Sequence, residues 1–370
     1  MSDKQWQLSP SQFSQVQQCG YRYLLKMSGA PALPVGGAAV LGLVLHGILE
    51  THAHRPFADV ESFEQEWQQQ ISKQEQRLAA NPVTAALVPL ARSVRNYAVK
   101  KAALRRSIIG SMPPQRVEHL LPSFVSTGLP KAETKLGIEI ELGKEGRITG
   151  RADLIRRFAG GIEIVDYKTG RFAASNGGSL PVAKPEYAQQ LQLYAAMYQA
   201  ETGHWPARGL LLGLASGEVT VSFEPTECLG LLKQANELLN TLEEAAMAGT
   251  GSALARPAPE ICRLCSYRPN CSPYLSLLSL AGGVLGSDVM GQLNSSRPRS
   301  NRLNLSVATE TGPVSIQAVG GAVGRLAAEA ADGLGKRVAV FGVRQTPGTR
   351  TFTAGPTTVI YTVDEDLITI

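Results

Sequence analysis

The feature that most constrains this 370-residue chain is a pair of apolar-alternating runs between residues 150 and 170. One run carries Gly150-Arg-Ala-Asp153 near its end, and the next ends in Asp166-Tyr-Lys168-Thr-Gly170. Residues two apart share a face of a strand, so Asp166 and Lys168 project together. Two carboxylates on neighbouring strands can share a divalent cation, and a lysine beside them can orient water or neutralise developing negative charge. That set suits hydrolysis of an anionic ester, which resists a nucleophile until metal and lysine draw its charge away. It also commits this part of the chain to a sheet.

Two further pieces flank the pair. Gly42-Leu-Val-Leu-His46 lies in an apolar helical stretch, and Gln190-Leu-Gln-Leu-Tyr194 lies on a later helix. Each piece has a plain reading. D-Y-K-T-G can be a strand entering a glycine turn, His46 a core histidine, and Gln190 with Tyr194 a buried polar pair at i, i+4. Taken in order, however, His46, D-x12-D-x-K and Q-x3-Y resemble the RecB-like branch of the PD-(D/E)xK nuclease superfamily. The resemblance spans residues 42 to 194. It implies a restriction-endonuclease-like α/β core in which Asp153, Asp166, His46 and the carbonyl of Tyr167 hold Mg²⁺ or Mn²⁺. It further implies that Lys168 positions the attacking water, and that Gln190 and Tyr194 contact DNA or support the metal ligands.

The five cysteines are Cys19, Cys228, Cys262, Cys265 and Cys271. The last three form C-x2-C-x5-C, a spacing that gathers thiolates around one metal centre rather than into disulfides. A fourth ligand must come from Cys19 or Cys228. Four thiolates suit zinc as well as iron, and spacing does not choose between them. Cys19, before Gly20-Tyr-Arg-Tyr23, resembles the first cysteine of the iron–sulfur nucleases of the same branch, the AddB-type and CRISPR-adaptation-type enzymes. That likeness implies a [4Fe–4S] cluster on Cys19, Cys262, Cys265 and Cys271, stapling the two ends of the nuclease domain. Gly20 departs from the proline usual there. Cys228, in an apolar helix, reads as a small buried hydrophobe.

Composition sets the setting. Hydrophobic residues make up 44% of the chain, ample for cores, while the longest apolar runs fall short of a membrane span. The N-terminus has no basic region followed by an apolar one, and clustered free cysteines fit a reducing compartment; the expected location is the cytoplasm, with no membrane partner. Net charge is +5 with a pI near 8.9. Between Arg92 and Arg116 stand seven Lys/Arg and no acid. At 100° per residue Arg92, Arg95 and Arg106 fall within about a 60° arc, an expected phosphate-tracking face. Arg151, Arg156 and Arg157 flank Asp153 and are expected to add backbone contacts.

Periodicity predicts a helix over 9–27, the His46 helix over 39–54, and two more helices over 60–110, together a helical insertion ahead of the sheet. Strands are expected at 117–126, 132–142, 147–158, 161–168, 208–215 and 219–223, with helices at 185–202 and 225–248 and a glycine-rich loop at Ser175–Ser179. After a loop at 249–260, the cysteines and a short helix at 273–281, the polar stretch Asn294–Asn301 reads as a linker. The expected organisation is a nuclease domain over 1–283, a linker over 284–301 and a small β-rich domain over 302–370. That last domain, with one helix near 321–333, suits an OB-like barrel. OB-folds often bind single strands, but few aromatics (Phe341, Phe352, Tyr361) and near-balanced charge suit a structural or docking module equally.

The expected activity is a metal-dependent deoxyribonuclease of exonuclease or flap type. Its substrate would be single-stranded DNA or DNA ends in repair or recombination, with a helicase or other DNA-processing protein as partner. RNA is a weaker alternative. The competing expectation is a catalytically silent DNA-binding scaffold in a helicase–nuclease complex. Retention of both aspartates and the lysine favours the enzyme.

Overall fold

The computed structural model describes residues 6–109, 134–143, 146–170, 172–174, 181–213 and 217–364, with the backbone alone over 134–141. The expected strand at 117–126, the Ser175–Ser179 loop and Arg116 lie outside the described residues. In chain order the helices begin with α1 (Pro10–Gln18), α2 (Tyr21–Met27), α3 (Gly37–His54), α4 (Val60–Ala79), α5 (Leu90–Ser93) and α6 (Tyr97–Ile109). Then come β1 (Thr134–Leu142), β2 (Gly150–Phe158), β3 (Gly161–Lys168), β4 (Ala173–Ala174), β5 (Val182–Ala183), α7 (Pro185–Thr202), β6 (Arg208–Gly213), β7 (Gly217–Val221) and α8 (Pro225–Met247). The last part holds α9 (Pro259–Cys262), α10 (Ser272–Leu280), β8 (Val284–Leu285), β9 (Asp288–Arg299), β10 (Arg302–Thr309), β11 (Gly312–Val319), α11 (Val323–Gly333), β12 (Arg337–Gln345) and β13 (Thr351–Thr362).

The chain groups into two compact units, one of residues 1–15, 38–74 and 94–243, the other of 16–37, 75–93 and 244–370. In the first unit β1-β2-β3-β6-β7 form one sheet, antiparallel except for the parallel β3–β6 pair. A parallel pair needs a crossover, and α7 supplies it. Proline at its first turn and Gly203 in the left-handed region (φ 74°), closing on the Gln199 carbonyl, set its two ends. Buried residues run consecutively through Leu154-Ile155-Arg156 and Glu163–Tyr167, so this part of the sheet is covered on both faces.

One of those buried residues corrects an expectation. Arg156 does not reach outward to a phosphate: it pairs with Glu163 on the neighbouring strand, and Arg208 Nε reaches the other Glu163 oxygen at 2.7 Å. Register explains this, because Glu163 lies opposite Arg156 on β2 and Arg208 on β6. A buried carboxylate requires such partners.

The expected helix at 9–27 divides at Gly20 into α1 and α2. The arginine arc fails for a similar reason. Asn96 takes φ 65°, a left-handed conformation that ends a helix, so Arg92 on α5 and Arg106 on α6 do not share one helical count, and Arg95 lies on neither. Of the same basic run, Lys101 bonds Glu64 at 2.5 Å and lies over the Trp67 ring.

In the second unit strands close on themselves in the order β9-β10-β11-β13-β12-β9, with β8 paired outside β9. The result is a five-stranded barrel with α11 between its third and fourth strands and one parallel pair, β11–β13. Val289, Leu293, Leu303, Leu305, Val314 and Ile316 fill it. Outside it, Tyr274, Leu275 and Leu278 of α10 pack on Met290, Ala339 and Phe341, each buried side chain contributing roughly 1.5–3 kcal/mol. The expected linker at 284–301 is instead mostly β9. Its first half buries Val289, Met290 and Leu293, and its polar second half pairs residue by residue with β10. Polar composition marked an outward-facing strand there, not a loop. No helix among the described residues is long and apolar enough to cross a membrane.

Candidate active site

The aspartates, the lysine, His46 and Gln190 come together in the first unit. Asp153 sits where the β2–β3 ladder ends, and its Oδ2 accepts the Tyr167 amide at 2.7 Å in place of a ladder bond. Asp166 and Lys168 project from one face of β3, with Lys168 Nζ 2.7 Å from Asp166 Oδ2. Gln190, from α7, bridges them: its Nε2 donates to Asp166 Oδ1 at 2.9 Å, and its Oε1 accepts from Lys168 at 2.9 Å. Asp166 Oδ2 is buried and has no aligned hydrogen-bond partner, although the ammonium stands beside it. Buried carboxylate oxygens are ordinarily satisfied; among the described residues this one is met by the Lys168 ammonium, 2.7 Å away.

His46 approaches from α3. Its Nε2 lies 3.2 Å from Asp153 Oδ1 and 2.9 Å from Glu50 Oε1. Burial opposes its cation, but the hydrogen bonds and charges of Asp153 and Glu50 together outweigh burial and raise the imidazole to about 10. Asp166 is raised to about 6, chiefly by burial, with Lys168 pulling down and Asp153 pushing up. The site is thus an acidic cluster held together by an imidazolium and an ammonium, and a divalent cation can replace that positive charge.

The motif glycines have steric reasons. A Cβ at Gly42 would meet Thr169 Oγ1 at 3.3 Å, so glycine lets α3 approach the end of the Asp166–Lys168 segment. At Gly150 a Cβ would lie 2.8 Å from Pro10 and 3.3 Å from the Tyr194 ring.

Tyr194 serves that packing. Its hydroxyl donates to the Arg151 carbonyl at 2.8 Å and the ring is buried, so it holds β2 while lying within the electrostatic reach of Asp166 and Asp153. Arg151 itself is exposed. Sequence reasoning missed Glu50 and Tyr187. Glu50 follows His46 by four residues and so shares its helix face. Tyr187 precedes Gln190 by three, and Lys168 Nζ stands 4.5 Å from its ring centre, a cation–π contact.

A second cluster forms in the other unit, where Cys19, Cys262, Cys265 and Cys271 line one pocket. Burial pushes Cys271 up to about 12, and the other three thiols add to it; Cys262 is raised by burial, with Cys265 and Cys19 adding. Arg268 donates to the carbonyls of Cys262, Arg263 and Cys265 and is itself paired with Asp288 at 2.7 Å. Cys228 is buried elsewhere, in α8 of the first unit. Among the described residues no group of three or more His, Cys, Asp or Glu side chains stands placed to hold a metal ion.

A family profile described as the PD-(D/E)XK nuclease superfamily matches residues 7–272. The chain belongs to that superfamily, whose nucleases use divalent metal ions to hydrolyse phosphodiester bonds. No curated protein matches the chain. Among solved structures, a murine DNA-binding protein bound with double-stranded DNA is similar at 13% identity over 62% of this chain and 96% of that one. The TM-score of that match is 0.18, too low to bear on fold or ligand.

Proposed function

We propose that this protein is a metal-dependent deoxyribonuclease, an exonuclease or flap-type enzyme acting on single-stranded DNA or DNA ends in repair or recombination. The observation that carries the reading is the convergence of the buried Asp166 carboxylate, its Lys168 partner, Asp153 and His46 in a chain of this superfamily. The donor set fits a hard divalent cation: carboxylate oxygens, one imidazole and the Tyr167 carbonyl. Bound there, Mg²⁺ or Mn²⁺ would polarise the phosphoryl oxygen and lower the pKa of attacking water. Lys168, held in place by Gln190, orients the nucleophile and stabilises charge on the phosphoryl oxygens. Gln190 fixes lysine and carboxylate in one geometry, Tyr194 braces β2, and Arg151 meets the DNA backbone. A silent scaffold would not need Asp166 held on Lys168 with Asp153 beside them.

The cysteine pocket is read as a [4Fe–4S] site. Four thiols line one pocket, and Cys262 and Cys271 are raised by burial and by their neighbours; such a set favours a strongly cationic centre that draws off the protons. The matched span, 7–272, begins ahead of Cys19 and ends just past Cys271. The barrel's strand order and helix position support the OB-fold reading.

The test is a gel series with end-labelled single- and double-stranded DNA in Mn²⁺, Mg²⁺ or EDTA. Wild-type protein should cut with metal only, while Asp166→Ala and Lys168→Ala should lose several orders of magnitude in rate and still bind DNA. Wild-type rates in either variant would remove the assignment.

A further inference from the structure

The outward face of β9, β10 and β11 is built in matched rows. Ser295, Ser306 and Ser315 lie side by side across the three strands, then Arg297, Asn304 and Gln317, then Arg299, Arg302 and Val319. Thr351 continues the first row on β13. The inward residues of β10 and β11, Leu303, Leu305, Val314 and Ile316, belong to the barrel core, so the polar set is committed outward. An open groove runs over this face, and Arg350 is among its lining residues. Arg350 is fixed there, its Nε donating to the Pro313 carbonyl at 3.0 Å and its Nη2 to the Gly312 carbonyl at 2.8 Å.

We propose that this groove is a second nucleic-acid site, which takes a single strand by its phosphodiester backbone. The ligand class rests on the nuclease reading above; the site does not share its residues. Charge is the first argument. The chain holds 31 acidic residues, yet no Asp or Glu lines the groove among the described residues, while Arg297 and Arg350 do and Arg299 and Arg302 extend the face. Ordinary surfaces intersperse the two signs.

Side-chain type is the second argument. Guanidinium, hydroxyl and carboxamide groups are the usual partners of phosphate and sugar. A protein partner would need an exposed apolar or aromatic anchor; no aromatic lines this groove among the described residues, and of its apolar lining Leu305 and Val314 are buried, leaving Pro313. Base stacking, the common means of holding single strands, is therefore absent from the groove as described, and affinity rests on phosphates. Geometry is the third. Arg297 and Arg299 are two residues apart on one strand, about 7 Å, comparable to adjacent phosphates along an extended strand. Three strands span about 10 Å, the width of a single strand rather than a duplex.

The test uses the full chain in EDTA with a fluorescent oligo-dT of thirty nucleotides, titrated over a salt series. The triple variant Arg297→Ala, Arg299→Ala, Arg302→Ala should bind at least about tenfold more weakly, with a log–log salt slope shallower by about 2, roughly 0.7 per phosphate contact. The near-isosteric pair Asn304→Asp and Gln317→Glu should weaken binding similarly and guards against misfolding of the triple variant. Mn²⁺-dependent hydrolysis of bis(p-nitrophenyl) phosphate should be unchanged in both. Unchanged affinity and slope in both variants overturns the proposal. So does equal displacement by polyglutamate, which would mark an acidic-protein site, or tighter binding of a duplex of equal length. Wild-type protein that binds oligo-dT through this face but cuts nothing would sink the nuclease reading and leave the groove standing.

Discussion

Asp166 is held in a costly state. Its carboxyl is raised from 3.8 to about 6, first by burial, against the opposing pull of Lys168 and with the push of Asp153. A carboxyl raised on folding favours the protonated form, so its stabilising contribution is full below pH 4 and is lost as pH rises through about 6. At pH 8 without metal the ionised side chain destabilises the fold by about 3 kcal/mol. Asp166→Asn should therefore raise the metal-free melting temperature at pH 8 by a few degrees while abolishing cleavage. The gain should vanish below pH 4. Thermal melts in EDTA across that range decide it, and a variant that melts lower at pH 8 contradicts the electrostatic account. At the same scale, Gln190→Ala removes the group bridging Lys168 and Asp166. A loss of about 10- to 100-fold in metal affinity or rate is expected, to be read from Mn²⁺ titrations of activity.

At the scale of elements, α7 and the β2–β3 pair make the active site, and the turns around α9 make the cysteine pocket. Both depend on a buried polar tie. Arg268 gathers three carbonyls of the Cys262–Cys265 turn and is held in turn by Asp288 at the start of β9, which also accepts from the Tyr274 hydroxyl. Removing one partner of such a buried pair strands the other, typically at 3–5 kcal/mol. Asp288→Ala should lower stability by about that amount, measured by denaturant unfolding, and should loosen the cysteine turn to limited proteolysis. A variant as stable as wild type would mean Arg268 finds other acceptors.

For the whole molecule the deciding property is the cysteine centre. The purified protein should be brown, absorb near ~400 nm and contain iron. Cys19→Ser should bleach it, although Cys19 is more than 240 residues from Cys262. A clip closing so long a loop stabilises on the order of a long-range disulfide, several kcal/mol. Cys228→Ser, altering a buried thiol of α8, should leave colour and iron unchanged. Zinc without iron after anaerobic purification would replace the cluster with a structural zinc site, and a bleached Cys228→Ser would mean the fourth ligand was misassigned.

Much of this was legible in the residues themselves. Local patterns settle local structure, so α7, β3 and the paired projection of Asp166 and Lys168 could be read from period and caps, and the family's motif order from spacing. What the sequence left open depends on partners far apart along the chain. Nothing local shows that Glu163 would claim Arg156, or that Asp153 would join Glu50 at His46. Asn96 broke a helical count that its neighbours' charges suggested, because one left-handed residue outweighs periodicity. The polar run at 294–301 looked like a linker because outward strand positions and loops share a composition; only pairing with β10 tells them apart. Pairing of β12 with β9 and of β13 with β11 is likewise a tertiary fact, since the strands that close the barrel are distant in sequence.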